Sequence, residues 1–173
     1  MTRTFGLALV TALLVVGGTQ SMGAEKPLET GCKDGASRQF DFWVGHWRVT
    51  EHGKPAGENR IERILDGCAL LENWTGAQGG AGKSLNFFDR DDGRWHQTWI
   101  DQSGGALFLA GRFENGAMRM EGERAATGTQ PATRHRITWT PLPGGKVRQL
   151  WESVPAGKDQ WNTQFDGLYE PVD

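Results

Sequence analysis

The chain has 173 residues and a formal net charge of −2, with 19 basic against 21 acidic side chains, 25 glycines and 8 tryptophans. One domain accommodates that length. A near-neutral chain with no block of like charge is not built to bind nucleic acid or acidic lipid.

At the N-terminus Arg3 precedes an unbroken apolar run over 7–16 and then small and polar residues up to Ala24, the layout of a secretory signal peptide over 1–24. The run is too short to cross a bilayer, so cleavage leaves no stable membrane span and a periplasmic or secreted product is expected. Both cysteines, Cys32 and Cys68, follow it. In an oxidising compartment such a pair closes, which predicts a disulfide between them, and their spacing fits no metal or redox motif. Residues 25–38 read as an N-terminal tether and 39–173 as one β-barrel domain.

The barrel is expected to begin at FDFWVGHWRVT, residues 40–50, where a Phe-rich turn hands over at Gly45 to an alternating strand with Trp47 and Val49 on one face and His46, Arg48 and Thr50 on the other. Residues 59–65 and 68–75 read as one long strand interrupted by a bulge at Gly67. Residues 84–90 and 94–101 form a hairpin turning at Asp91-Asp92-Gly93, and 107–114 with 117–124 form another at Asn115-Gly116. Strands over 134–141, 146–153 and 160–170 complete the set. No convincing helical period occurs anywhere, so the chain is all-β. Short connections imply a single up-and-down antiparallel β-barrel of about nine or ten strands, since closure removes exposed edges.

The large apolar side chains mark the inward face. Trp47, Trp74, Trp95, Trp99, Trp139, Trp151 and Trp161 each fall on the face holding their strand's other bulky residues, such as Leu107, Leu109, Phe113, Met118 and Met120. Polar groups share that face: Glu72 between Leu70 and Trp74, Gln97 between Trp95 and Trp99, Gln149 between Val147 and Trp151, and His135 before Ile137 and Trp139. A solid core has little use for them, because each unpaired buried polar group costs roughly 1 to 3 kcal/mol. They are therefore expected to face an internal pocket. Its lining would be Trp47, Glu72, Trp74, Trp95, Gln97, Trp99, His135, Trp139, Gln149 and Trp151.

Other motifs fall away on context. Residues 77–84 end in Gly-Lys-Ser like a phosphate loop, but an alternating strand follows instead of the helix such a loop requires. Ser103 lies in a turn, without the elbow of a serine nucleophile. His46, His52, His96 and His135 show no paired metal-ligand spacing, and no cofactor motif is legible.

Gly45-His46-Trp47 after a Phe-rich turn is similar to the Gly-x-Trp opening of the calycin barrels, which include lipocalins and the haem-binding nitrobindins. Together with RIERILDGCALLENWTG (60–76), SLNFFDRDDGRWHQTWID (84–101) and RITWTPLPGGKVRQLWE (136–152), it resembles an exported bacterial family of unknown function grouped with those calycins, over most of residues 38–170. The resemblance implies a barrel around a small ligand and brings no catalytic residue. Two family features have no match. Lipocalins set an Arg of the last strand against the Trp, whereas the last strand here has none and Arg148 on the strand before is the nearest counterpart. Nitrobindins ligate haem through a late His, and no His follows His135.

The function expected from these residues is an exported binder of a small apolar or amphipathic molecule, stacked on Trp and oriented by a few polar groups. A second reading is an enzyme acting on a molecule inside the barrel, by isomerase or haem-type chemistry, with Glu72 or His135 handling protons. A third is a structural envelope protein.

Overall fold

The computed structural model describes residues 31–172. The proposed signal peptide, 1–24, lies outside the described residues, as does the first part of the tether.

Ten antiparallel strands follow one another around a closed barrel: β1 (Gly45–Glu51), β2 (Lys54–Ile64), β3 (Ala69–Gly76), β4 (Ala81–Asp89), β5 (Arg94–Asp101), β6 (Ala106–Glu114), β7 (Ala117–Arg124), β8 (Thr133–Leu142), β9 (Lys146–Pro155) and β10 (Asn162–Pro171). Each pairs with its sequence neighbours, and β10 returns to β1 with Val49 opposite Tyr169, both inward. No edge is left open. Turn chemistry fixes the hairpins. At the β6–β7 turn Asn115 and Gly116 have φ of 51° and 79°, the left-handed pair that a two-residue hairpin needs.

One expected strand is two. Residues 59–75 do not run straight through a bulge: Leu65, Asp66 and Gly67 all take positive φ and reverse the chain, so β2 and β3 lie antiparallel with Ile64 opposite Ala69. Alternation on both sides of Gly67 concealed a turn, because two antiparallel strands sharing an inward face carry the same period as one.

The lower end of the barrel, where β1 starts and β2 ends, is solid. Two 3-10 turns, Ala36–Arg38 and Asp41–Trp43, cross beneath it and send Phe40 and Trp43 up into the lumen. Phe40 stacks on Trp43 with ring centroids 4.9 Å apart and meets Trp139 and Trp95 edge-on at 5.2 and 5.6 Å. Trp47, Met118, Met120, Leu109 and Val147 pack into the same cluster. The Cys32–Cys68 disulfide ties the segment before these turns to the β2–β3 connection. The Trp95 Nε1–H donates to the Ala36 carbonyl at 3.2 Å, a second tie across the floor.

Candidate functional site

Above this plug the lumen opens into a cavity of about 190 Å³ lined by Glu72, Trp74, Gln97, Trp99, Leu107, Ile137, Gln149, Trp151, Gln164, Phe165 and Tyr169. Its mouth lies at the upper end, where β3 and β5 finish and β10 begins. Trp74, Trp99, Trp151 and Phe165 are half-buried around that mouth, whereas Glu72, Gln97 and Tyr169 are buried.

Three inward glycines let three of these four large rings lie back and leave a space between them. A Cβ on Gly82 would stand 2.2 Å from the Trp99 ring, on Gly57 2.7 Å from Trp74, and on Gly167 2.4 Å from Phe165. The rings lie against bare backbone along the wall instead of crossing the lumen. A bulge between Thr163 and Phe165 adds to this by setting Phe165 opposite Trp151.

The floor is a polar layer spread over several strands. Asn59 donates to one Glu72 oxygen at 2.7 Å and the Ser84 hydroxyl to the other at 2.5 Å. The Asn86 amide donates to Ser84 Oγ at 2.8 Å, and Gln97 Nε2 donates to Asn86 Oδ1 at 2.8 Å. Across the cavity the Tyr169 hydroxyl donates to Gln149 Oε1. Burial dominates the electrostatics: it pushes the Glu72 carboxyl up to about 7 against the opposing hydrogen bonds from Ser84 and Asn59. The same cause, followed by the charge of Glu72, holds the Tyr169 hydroxyl protonated well beyond its usual range.

The structure divides the sequence-predicted lining into two groups. Glu72, Trp74, Gln97, Trp99, Gln149 and Trp151 line the cavity. Trp47, Trp95 and Trp139 are inward and buried but belong to the plug below it. His135 is inward and buried but does not line the cavity; its Nδ1 accepts the Trp151 Nε1–H at 3.1 Å. Burial, with a smaller push from Arg124, lowers its pKa. Leu107, Ile137, Gln164, Phe165 and Tyr169 complete the lining. Inward alternation marked Leu107 and Ile137 as bulky neighbours; Phe165 was hidden by the bulge beside it, and Tyr169 announces itself only through its pairing with Val49.

Two sequence expectations are corrected here. Trp161 is outside the barrel, just before β10, where Arg136 lies over its ring at 4.1 Å; Arg136 is itself held on the outer face by Glu152. Arg148 does not stand against Trp47. It makes a two-pronged pair with Asp166 on the outer surface, at 2.7 Å for both bonds, while Trp47 Nε1–H donates to the Trp43 carbonyl.

The amides also differ from expectation, since neither Gln97 nor Gln149 waits unpaired for a ligand. Each spends one end on protein. Among the described residues no group meets Gln97 Oε1 or Gln149 Nε2, so each presents its other end to the cavity. Gln97→Leu should therefore cost roughly 1 to 3 kcal/mol in urea unfolding, because it strands Asn86 Oδ1 in the buried layer. An unchanged midpoint would mean that Asn86 finds another donor.

Among the described residues one group gathers metal-type ligands: Asp89, Asp92 and His96, within 4.8 Å of one another. It lies on the outer surface at the closed end, with the His96 ring stacked on Phe87 at 5.4 Å. His-pair spacing did not reveal it because two of its members are carboxylates, Asp89 at the end of β4 and Asp92 in the turn that follows. No family model matches the chain, and no curated protein matches it.

Proposed function

We propose that this chain is an exported calycin-like carrier or sensor that binds one small apolar or amphipathic molecule at the open end of the barrel. The observation that supports this is the aromatic-walled cavity over a polar floor, kept open by glycine beneath its rings. An engineered apolar cavity of about 150 Å³ takes benzene, so this space suits a frame of one or two rings. Stacking on Trp supplies affinity, and the free ends of Gln97 and Gln149 supply orientation.

The test is to narrow the cavity without touching its polar groups. In Gly82→Val the new side chain drives the Trp99 ring off the wall into the lumen. Saturable quenching of Trp emission by small aromatic ligands should be lost while far-ultraviolet circular dichroism keeps the strand signature. Equal quenching in both proteins would move binding elsewhere. Export is part of the same reading: N-terminal sequencing of the protein recovered from the periplasm or medium should begin near Glu25, and retention of residues 7–16 would remove it.

One observation favours a second reading. Glu72 is a buried carboxyl in an apolar cavity with a pKa raised to about 7, a state suited to moving a proton on a bound molecule. Deuterium uptake from heavy water into a carbon of a bound ligand, lost in Glu72→Gln, would mark that chemistry.

A further inference from the structure

The charges and dipoles around the cavity are one-sided. Among the described residues Glu72 is the only acid in its lining, and no Lys or Arg lines it. Its two hydrogen-bond partners, Asn59 and Ser84, are both neutral. A buried carboxylate is ordinarily paired with a cation, because neutral donors alone do not offset its lost hydration. Nearby, Gln97 turns a free carbonyl oxygen to the same space. The walls are formed by Trp74, Trp99, Trp151, Phe165 and Tyr169, and aromatic faces attract cations. A ligand anion would meet Glu72 directly. A wholly apolar ligand would fill the walls but leave an ionised Glu72 without a counter-charge and the Gln97 carbonyl with nothing to accept.

We propose that the cavity takes a compact organic cation, an amine or quaternary ammonium on a frame of one or two rings, with its charged nitrogen beside Glu72 and its body between the aromatic walls. This rests on the reading of the cavity as a ligand site and names the ligand's chemical class. The cation supplies the counter-charge that the fold withholds, and where it is a protonated amine its N–H groups have two acceptors in the lining, Glu72 and the Gln97 carbonyl.

Binding of this kind is coupled to protons. With its carboxyl pushed up to about 7, Glu72 must release a proton to meet a cation at mildly acidic pH, so affinity should rise with pH until the group is ionised and then level off. Most other groups facing Glu72 have no charge to gain or lose. Asn59 on β2, Ser84 and Asn86 on β4, Gln97 on β5 and Gln149 on β9 carry no charge. Tyr169 on β10 stays protonated, and burial lowers the pKa of His135 on β8, which bonds Trp151, and so disfavours its charged form.

The experiment is calorimetric titration of the purified native chain with 2-phenylethylammonium, its near-isostere 2-phenylethanol and the anion phenylacetate. At about pH 8 the ammonium ion should bind at least roughly tenfold more tightly than the alcohol, and phenylacetate most weakly. The ammonium should weaken by roughly tenfold or more at about pH 5.5, whereas the alcohol should not. Glu72→Gln should remove the preference and the pH dependence while keeping the alcohol's affinity. If the alcohol binds as tightly as the ammonium, or the preference survives Glu72→Gln, the cation assignment is overturned and the cavity remains a ligand site. If none of the three gives saturable heat, or Gly82→Val leaves their binding unchanged, the reading of the cavity fails and the inference fails with it.

Discussion

Trp47→Ala should destabilise the barrel by roughly 3 to 5 kcal/mol, read as a shift of the urea or thermal midpoint with little change in the slope of the transition. Trp47 is only 4% exposed and meets Tyr169 edge-on at 6.2 Å, so truncation opens a void between the plug and the polar floor. It also strips the Trp43 carbonyl of its donor, the 2.9 Å bond from Trp47 Nε1. Trp43 sits on a 3-10 turn, held by packing and a few bonds instead of by a sheet ladder, and the loss should spread into the closed end. Trp47→Phe separates the two causes, since it keeps most of the ring volume and loses only the N–H. A loss below about 1 kcal/mol for Trp47→Ala would mean that the lower core refills the space.

Alternation made the barrel legible, because a strand with one face in the lumen must repeat every second residue. It also gave the inward faces of Trp74, Gln97, Trp99, Gln149 and Trp151 correctly, since each sits mid-strand with bulky neighbours at two-residue steps. What alternation cannot convey is height along the barrel. Trp95 and Trp99 share a face and a strand, yet Trp95 is in the plug and Trp99 at the mouth. That difference comes from Phe40 and Trp43, which fill one end only, and from Gly57, Gly82 and Gly167, which clear the other. Those glycines carried a signal in principle: glycine at an inward strand position marks a close approach. Reading them needs the cross-strand register, however, and the register was hidden at two points. One was the turn at Leu65–Gly67, read as a bulge. The other was the bulge beside Phe165, which broke the period that placed Trp161 inside.

Glu72→Gln should make the protein more stable at about pH 8 by up to roughly 3 kcal/mol and change it little at about pH 4.5. The sign follows from the carboxyl's rise from 4.5 in the unfolded chain to about 7 in the fold. Below the lower value both states hold the proton and burial carries no charge penalty. As pH climbs between the two values the unfolded chain gives up its proton while the folded one keeps it, so the native state binds more protons and stability falls. Above the upper value both states are ionised and the full penalty stands. Other carboxyls slope the opposite way: Arg pairing holds Glu152 and Asp166 low, and their contribution is lost toward acid. The informative curve is therefore the difference between wild type and variant, measured by urea unfolding at several pH values, in which those surface groups cancel. Gln keeps the acceptor for Asn59 and offers Ser84 a donor in place of an acceptor, so the buried layer can close again. A difference rising steadily between about pH 4.5 and about pH 7 and flat beyond it identifies Glu72 as a buried charge without a counter-ion. A flat difference throughout would mean that water reaches the carboxylate from the mouth, and the electrostatic case for a cationic ligand would lose its footing.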